Sequence, residues 1–187
     1  MPTLATPPRA TLDDLLKVQE KAELINGRIV RYKAFGFLPS RVAGFILRAL
    51  SVFSENTLPG HVYSGSLCYA IDELPSGRES FSPDVSYYDG PLPENLMRFI
   101  EGAPTFAVEV RSEGDYSLSA EREMTAKRAD YFAAGTKAVW DVDPIQQLIR
   151  LYVDDAEVPA VVFRVGDQAH AEPAVPGWRL EVSRLFR

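Results

Sequence analysis

The chain has 187 residues, of which 46% are hydrophobic, and this is enough for one well-packed core. Its 20 Lys and Arg residues against 26 Asp and Glu residues give a net charge of −6, which argues against broad nucleic-acid binding. The single cysteine, Cys68, excludes an intramolecular disulfide and favours a reducing cytoplasm, and two distant histidines disfavour a zinc site. No segment has the roughly 20 consecutive apolar residues of a transmembrane helix, so we expect no membrane association.

The N-terminal third differs in charge from the rest of the chain. Residues 1–50 hold 8 Lys or Arg and 4 Asp or Glu, a balance of +4, whereas the remaining 137 residues carry −10. A basic face drawn from this third is able to meet a phosphate backbone, and the alternative is a solvated surface. Residues 1–10 are rich in proline and threonine, so we expect a flexible N-terminal tail, followed by a single domain over residues 11–187.

The first predicted elements are a short helix, a hairpin and a longer helix. Thr11 is a good N-cap for the short helix. Two apolar segments, residues 23–25 and 28–32, flank Asn26-Gly27, the dipeptide that most favours a tight hairpin turn. Apolar residues then recur at helical spacing over residues 40–55, which predicts a helix.

The middle and C-terminal parts of the chain alternate strands with one further helix. Strands are predicted within residues 61–88, over 105–111, over 138–142 and within 147–165, and a helix over 119–134 ends at Gly135. The strand–helix–strand order over residues 105–142 predicts a crossover between parallel strands. The predicted fold class is therefore α/β, with a mixed β-sheet flanked by helices, an N-terminal hairpin and extra C-terminal strands.

Lys127 lies in an apolar stripe of the predicted helix over residues 119–134. Tyr131 falls on the same stripe one turn later. A buried ammonium is costly unless it has an anionic partner. Two upstream segments supply candidate partners, namely Asp84, which follows a proline, and Glu109, which lies inside an apolar strand. The pattern therefore predicts a site where two carboxylates and one lysine meet.

Strand geometry places the two carboxylates together if their strands pair. Alternate side chains of a strand share a face, so Asp84 and Glu109 then lie on one face and share a cation. Mg²⁺ (or Mn²⁺) binds one or two carboxylates together with waters and substrate phosphates, and we expect Asp84 and Glu109 to be its ligands. Lys127 would orient or help deprotonate a metal-bound water, or stabilise the developing oxyanion. Glu23, just before the hairpin turn, is the predicted fourth member of the catalytic group, through a bound water or the lysine.

Each of these residues also has a structural interpretation. Asp84 after a proline can initiate a turn, and Glu109 can be neutralised by Arg111 or a surface lysine. Lys127 can extend past its aromatic neighbour to water, and Glu23 can be a surface charge. The ordered combination of all four is more specific than any single member.

Four segments of the chain resemble the Uma family of restriction-endonuclease-like proteins, within the PD-(D/E)XK nuclease superfamily. The segments are Glu23–Val30, Pro83-Asp84, Val108–Ser112 and Lys127–Pro144. The similarity runs roughly over residues 11–152. It implies a mixed sheet flanked by helices, a Mg²⁺-type metal site, DNA as substrate and often a homodimer.

The chain departs from the family pattern at two places. The superfamily has a lysine two residues after the glutamate, whereas this chain has Arg111 at that position. Arginine stays protonated and cannot act as a base. In the Uma family the lysine lies instead on the following helix, and Lys127 matches that position. The family's usual Ser-Pro pair is replaced by Ser112-Glu113, at the start of an acidic loop.

Three function classes follow from these observations. The first is a metal-dependent endonuclease that hydrolyses DNA phosphodiester bonds through Asp84, Glu109 and Lys127. The second is a non-catalytic nucleic-acid- or protein-binding module that retains the nuclease fold. The third is a hydrolase that uses the two carboxylates as a general acid/base pair on another substrate.

Overall fold

The computed structural model describes residues 8–155 and 158–187. The helices are α1 (Leu12–Leu15), α2 (Phe37–Thr57) and α3 (Leu118–Ala133). The strands are β1 (Ala22–Ile25), β2 (Arg28–Arg31), β3 (His61–Ser64), β4 (Tyr69–Ala70), β5 (Ser80–Phe81), β6 (Val85–Tyr88), β7 (Ile100–Glu101), β8 (Phe106–Val110), β9 (Ala138–Asp143), β10 (Leu148–Tyr152), β11 (Val161–Arg164), β12 (Gln168–Ala171) and β13 (Val175–Glu181). Short 3₁₀ helices cover Glu113–Tyr116 and Val182–Arg184.

A six-stranded mixed sheet, in the order β11-β10-β9-β8-β6-β3, forms the centre of the protein. Strands β8 and β9 are parallel and are joined through α3, whereas the other neighbouring pairs are antiparallel. The predicted crossover is therefore confirmed. The predicted N-terminal hairpin (β1–β2) and the extra C-terminal strands (β10–β13) are also present.

Helix α2 and the hairpin β12–β13 cover one face of the central sheet. Val42, Ile46 and Leu50 of α2 recur at helical spacing and pack in the same core as Phe106 and Trp140. The helix starts three residues earlier than the predicted range of 40–55. Its first turn contains a proline, which helices accept at that place because the first N–H groups have no intrahelical acceptor.

By length and composition alone, α2 is apolar enough to cross a membrane, which the sequence analysis did not anticipate. Among the described residues no other helix passes this test. Its side chains Val42, Ile46 and Leu50 are completely buried within the protein core. The absence of membrane association stays a prediction.

Helix α3 and the small sheet β5-β4-β7 lie on the other face of the central sheet. Tyr131 of α3 stacks on Phe81 of β5, with ring centroids 4.1 Å apart, and Ala107 and Val139 belong to the same core cluster. The hairpin β1–β2 packs beside β5, where the Leu24 N–H donates to a serine hydroxyl of β5 at 2.7 Å. Elements α3, β1 and β8 therefore converge on this face.

The N-terminal hairpin has the turn that its sequence predicts. Asn26 and Gly27 have φ values of 52° and 64°, as a two-residue turn with both central residues in the left-handed region requires. Of the tail predicted over residues 1–10, residues 1–7 lie outside the described residues. Arg9 pairs with Glu79, just before β5, at 2.7 Å, and the Ala10 N–H donates to the Gly27 carbonyl of the hairpin turn at 2.8 Å, so both residues are bound to the rest of the protein.

Truncation of a core residue in α2 tests this packing. We expect Ile46→Ala to lower the free energy of unfolding by about 2–5 kcal/mol, because it leaves a cavity at a completely buried position. The matched control is Val52→Ala on the same helix, where the side chain is exposed and the expected change is below about 0.5 kcal/mol. Urea denaturation followed by circular dichroism measures both, and equal effects would contradict the assignment of the buried face.

Candidate active site

Asp84 and Glu109 lie side by side, as the sequence analysis predicts for paired strands. Asp84 comes directly before β6 and stays bound to β8: its N–H donates to the Val108 carbonyl at 2.9 Å, and its Oδ2 accepts the Val110 N–H at 2.7 Å. These two contacts fall on either side of Glu109 in the same strand. The proximity has an electrostatic effect, because the charge of Glu109 adds to burial in raising the pKa of Asp84.

Lys127 reaches Glu109 from helix α3. The distance between Lys127 Nζ and Glu109 Oε1 is 2.8 Å, and the Tyr131 hydroxyl donates to the same oxygen at 2.6 Å. Burial by itself lowers the pKa of Lys127, but the charges of Glu109 and Glu23 outweigh it and leave this pKa above its ordinary value. Lys127 is therefore an ammonium at neutral pH.

Glu23 is completely buried and is the second anionic partner of Lys127. Its Oε1 lies 2.9 Å from Lys127 Nζ and accepts the Ser82 N–H at 2.9 Å. Its Oε2 accepts the Tyr32 hydroxyl at 2.6 Å and pairs with Arg78. Burial by itself raises the pKa of Glu23. The charges of Lys127 and Arg78 lower this pKa by a larger amount, so it falls to about 2 and the carboxylate is ionised at neutral pH.

Arg78 joins the hairpin side of the site to helix α3. Its guanidinium pairs with Glu23 through Nη1 and with Asp130 of α3 through Nε, the latter at 2.7 Å. Both Arg78 and Glu23 are buried. This bridge fixes the hairpin against the same helix that carries Lys127, so the position of Glu23 relative to Lys127 is well defined.

Lys21 is the counter-ion of Asp84. Its Nζ contacts Asp84 Oδ1, and the rings of Tyr32 and Phe35 lie 5.8 and 5.5 Å from the ammonium. The Lys21 carbonyl accepts the Tyr32 N–H at 2.9 Å, so its main chain is held by the hairpin and its side chain alone is free to change position. Burial raises the pKa of Asp84 to about 6 although Lys21 opposes this shift.

The structure brings together all four residues that the sequence predicts, but it pairs them differently. Lys127 contacts Glu109 and Glu23 rather than Asp84, and Glu23 is buried rather than a surface charge. Arg111, which was one candidate partner of Glu109, instead pairs with Asp141 and Glu121.

The sequence analysis missed Lys21, Arg78 and the hydrogen bond of Tyr131. One signal for Lys21 was present, because it lies two residues before Glu23 and so falls on the same side of an extended chain. No local signal marks Arg78, whose partner on the hairpin is 55 residues away along the chain.

The donor atoms fit a magnesium-type ion. The contacts of the Glu109 carboxylate with Tyr131 and Lys127 both fall on Oε1, and no contact within residues 8–155 and 158–187 uses its Oε2. Asp84 Oδ1 faces only a lysine side chain that is able to move. No group of three or more His, Cys, Asp or Glu in this part of the chain is arranged to hold a metal.

The fold and these residues together define a restriction-endonuclease-like protein. The family model described as "Putative restriction endonuclease" (Uma2) matches residues 10–183, so the chain belongs to this family. The resemblance stated from the sequence is thereby confirmed.

Comparison with solved structures agrees on the fold. The chain is similar to a "putative nuclease belonging to DUF820" from Anabaena variabilis ATCC 29413, with 21% sequence identity, a TM-score of 0.69, and coverage of 94% of this chain and 97% of that chain. At this identity the similarity supports the fold class and no individual residue. No curated protein matches the chain.

Replacement of Glu23 tests the buried ion pairs. At pH 7 we expect Glu23→Gln to lower the free energy of unfolding by about 3–5 kcal/mol, because it leaves Lys127 and Arg78 each short of one anionic partner. Since the pKa of Glu23 is depressed in the folded state, its contribution is full above its ordinary value of 4.5 and is lost as the pH falls towards about 2. Urea denaturation at pH 7 and pH 3 should therefore show a smaller difference at pH 3.

The matched control for this experiment is Glu55→Gln, at an exposed position of α2. This variant should differ little from the native chain at either pH. A Glu23→Gln effect that is independent of pH would contradict the ionised state that we assign to Glu23.

Proposed function

We propose that the protein is a metal-dependent endonuclease that hydrolyses phosphodiester bonds of DNA, with Asp84 and Glu109 as ligands of Mg²⁺ (or Mn²⁺). The observation that carries the proposal is the ammonium of Lys127, which is 13% exposed and lies 2.8 Å from Glu109, on the strand that also binds Asp84. A binding module has no need to bury a lysine beside two carboxylates. The family to which the chain belongs supports the same reaction class.

The chain's own residues would divide the work by charge. A divalent cation held by Asp84 and Glu109 supplies an activated water and neutralises phosphate charge. Lys127, which stays protonated, stabilises the negative charge that develops on the phosphate and does not act as the base. Glu23 and Tyr131 hold the lysine and Glu109 in position through direct contacts.

The distribution of charge supports a nucleic-acid substrate. Residues 28–54 contain no Asp or Glu, although the whole chain carries −6. This segment includes β2 and Tyr32, which adjoins the site through its contact with Glu23, and most of α2, which covers the other face of the central sheet. Its five basic residues are all exposed: Arg28, Arg31, Lys33, Arg41 and Arg48. Such a surface beside the site favours a phosphate backbone.

The homodimer and the cytoplasmic location belong to the same proposal. The first rests on the family resemblance, and the second on a lone cysteine that is buried and reduced. Sedimentation of the purified chain at several concentrations measures the dimer directly.

One observation favours the non-catalytic binding module as an alternative. Asp84 and Glu109 are both already neutralised by lysines, so the site is stable without a metal. Under this alternative the chain binds nucleic acid and does not cleave it. No observation of this kind favours the acid/base hydrolase.

Metal binding separates the two functions. Titration calorimetry with Mn²⁺ should show binding to the native chain and its loss in Asp84→Ala and in Glu109→Ala. The matched control is Glu113→Ala, an exposed carboxylate in the short 3₁₀ helix that follows β8, which should bind as the native chain does. Absence of binding in the native chain, even with a DNA duplex present, would leave the binding module as the function.

Cleavage assays then test Lys127. We expect Lys127→Met to retain metal binding but to cut DNA at least about 100-fold more slowly, since it removes a charge that acts on the transition state. Lys127→Arg, which keeps the charge and changes its geometry, should retain part of the activity if folding is intact by circular dichroism. Normal cleavage by Lys127→Met would remove Lys127 from the mechanism.

The Lys21–Asp84 pair implies competition with the metal. A metal ion that binds Asp84 must displace Lys21 and break its charged hydrogen bond. Lys21→Met removes this cost, so we expect the variant to bind Mn²⁺ about 10- to 100-fold more tightly than the native chain. The matched control is Lys17→Met, whose side chain is 74% exposed and pairs with Asp14. Titration calorimetry measures both, and an unchanged affinity in Lys21→Met would show that Lys21 and the metal do not compete.

A further inference from the structure

Two aromatic side chains are exposed between β2 and α2. Phe37, the first residue of α2, is 81% exposed, and Phe35 is 37% exposed. Exposure of a large aromatic side chain costs free energy of hydration, and exposed apolar groups that cluster commonly mark a binding surface. The packing of the described residues gives no reason for Phe37 to face solvent.

These rings continue outward from the candidate active site. The ring of Phe35 lies 5.5 Å from Lys21 Nζ, which in turn contacts Asp84. Phe37 follows two residues later, and Arg41 lies one helical turn beyond it, on the same side of α2. The side chains of Lys21 and Phe35 thus lead from Asp84 to the protein surface, and Phe37 and Arg41 follow Phe35 along the chain.

Positive charges flank the two rings along the chain. Lys33 and Arg41 are both exposed, and no acidic residue occurs between residues 28 and 54. We refer to Lys33, Phe35, Phe37 and Arg41 as the aromatic–basic strip. Aromatic rings beside cations are an arrangement by which proteins bind single-stranded nucleic acid, because bases stack on the rings while cations hold the phosphates.

We propose that the aromatic–basic strip binds an unpaired DNA strand and leads it to the Asp84–Glu109 site. The substrate class is then DNA with a single-stranded segment next to the scissile phosphate. This inference rests on the proposed nuclease function. In an intact duplex the phosphates can contact a basic surface, but the bases stay stacked on one another. Phe37 would therefore make no stacking contact with a duplex.

A second exposed apolar segment provides the contrast. Leu92, Leu96 and Met97 are 48%, 74% and 84% exposed, respectively, in the segment before β7. The neighbouring cation, Arg98, pairs with Asp13, and its charge is therefore neutralised. Met97 is therefore a suitable control for exposure without the charge pattern of the strip.

Fluorescence anisotropy with a labelled oligonucleotide tests the proposal. The full chain is titrated against the single strand and against the same sequence as a blunt duplex, with Ca²⁺ in place of Mg²⁺. We expect the native chain to bind the single strand more tightly. Phe37→Ala should weaken this binding about 5- to 100-fold, as loss of one base-stacking contact does, and Phe37→Tyr, which keeps an aromatic ring, should restore most of it. Met97→Ala should leave the binding unchanged.

Salt dependence gives a second, independent readout. Arg41→Gln should weaken single-strand binding and reduce the slope of log affinity against log salt concentration by about one, because one phosphate contact is removed. Tighter binding of the duplex than of the single strand, or a Phe37→Ala variant that behaves like Met97→Ala, would overturn the proposal.

A cleavage assay with Mn²⁺ distinguishes failure of this inference from failure of the proposed nuclease function. If the native chain and Phe37→Ala cleave equally, on both single-stranded and duplex DNA, the strip has no role in substrate binding and the nuclease function still stands. If single-strand binding depends on Phe37 but the native chain cleaves no DNA, the strip still binds the single strand and the nuclease function is wrong.

Discussion

The structure depends on one buried cation and the two carboxylates that neutralise it. Lys127 Nζ lies 2.9 Å from Glu23 and 2.8 Å from Glu109, and these three residues come from β1, β8 and α3. An ammonium that is buried without partners would be deprotonated or would prevent folding. The hairpin, the central sheet and the crossover helix are therefore held in one arrangement by the same charges that form the site.

Charge balance explains why such a site is stable before any ligand binds. Three carboxylates, of Glu23, Asp84 and Glu109, face three cations, of Lys21, Arg78 and Lys127. A divalent ion adds two charges to this balanced set, and a DNA phosphate removes one of them. The cation best able to give way is Lys21, since its side chain is 21% exposed whereas Lys127 is 13% exposed and has two partners.

Features that the sequence predicted correctly are those with local signals. The Asn26-Gly27 turn and the period of α2 are encoded by neighbouring residues, and the β8–α3–β9 crossover follows from their order. The ion pairs are different, because Glu23 meets residues that are 55 and 104 positions away. Such pairing depends on how the hairpin docks on β5, and no periodicity reports this. The four residues of the site and the meeting of Lys127 with Glu109 were therefore predictable from sequence, but the further partners Lys21 and Arg78 were not.

Net charge by itself does not predict the partner, for a related physical reason. Many acidic side chains of this chain are already paired within it: Asp141 and Glu121 bind Arg111, and Asp130 binds Arg78. Such pairs largely cancel in the total of −6 as well, so this total reflects how unevenly charge is distributed: residues 1–50 carry +4 and the rest of the chain −10. The exposed cations over residues 28–54 have no acidic neighbours in their own segment. What a phosphate backbone meets is this local surface, so the sign of the whole chain does not decide whether DNA binds.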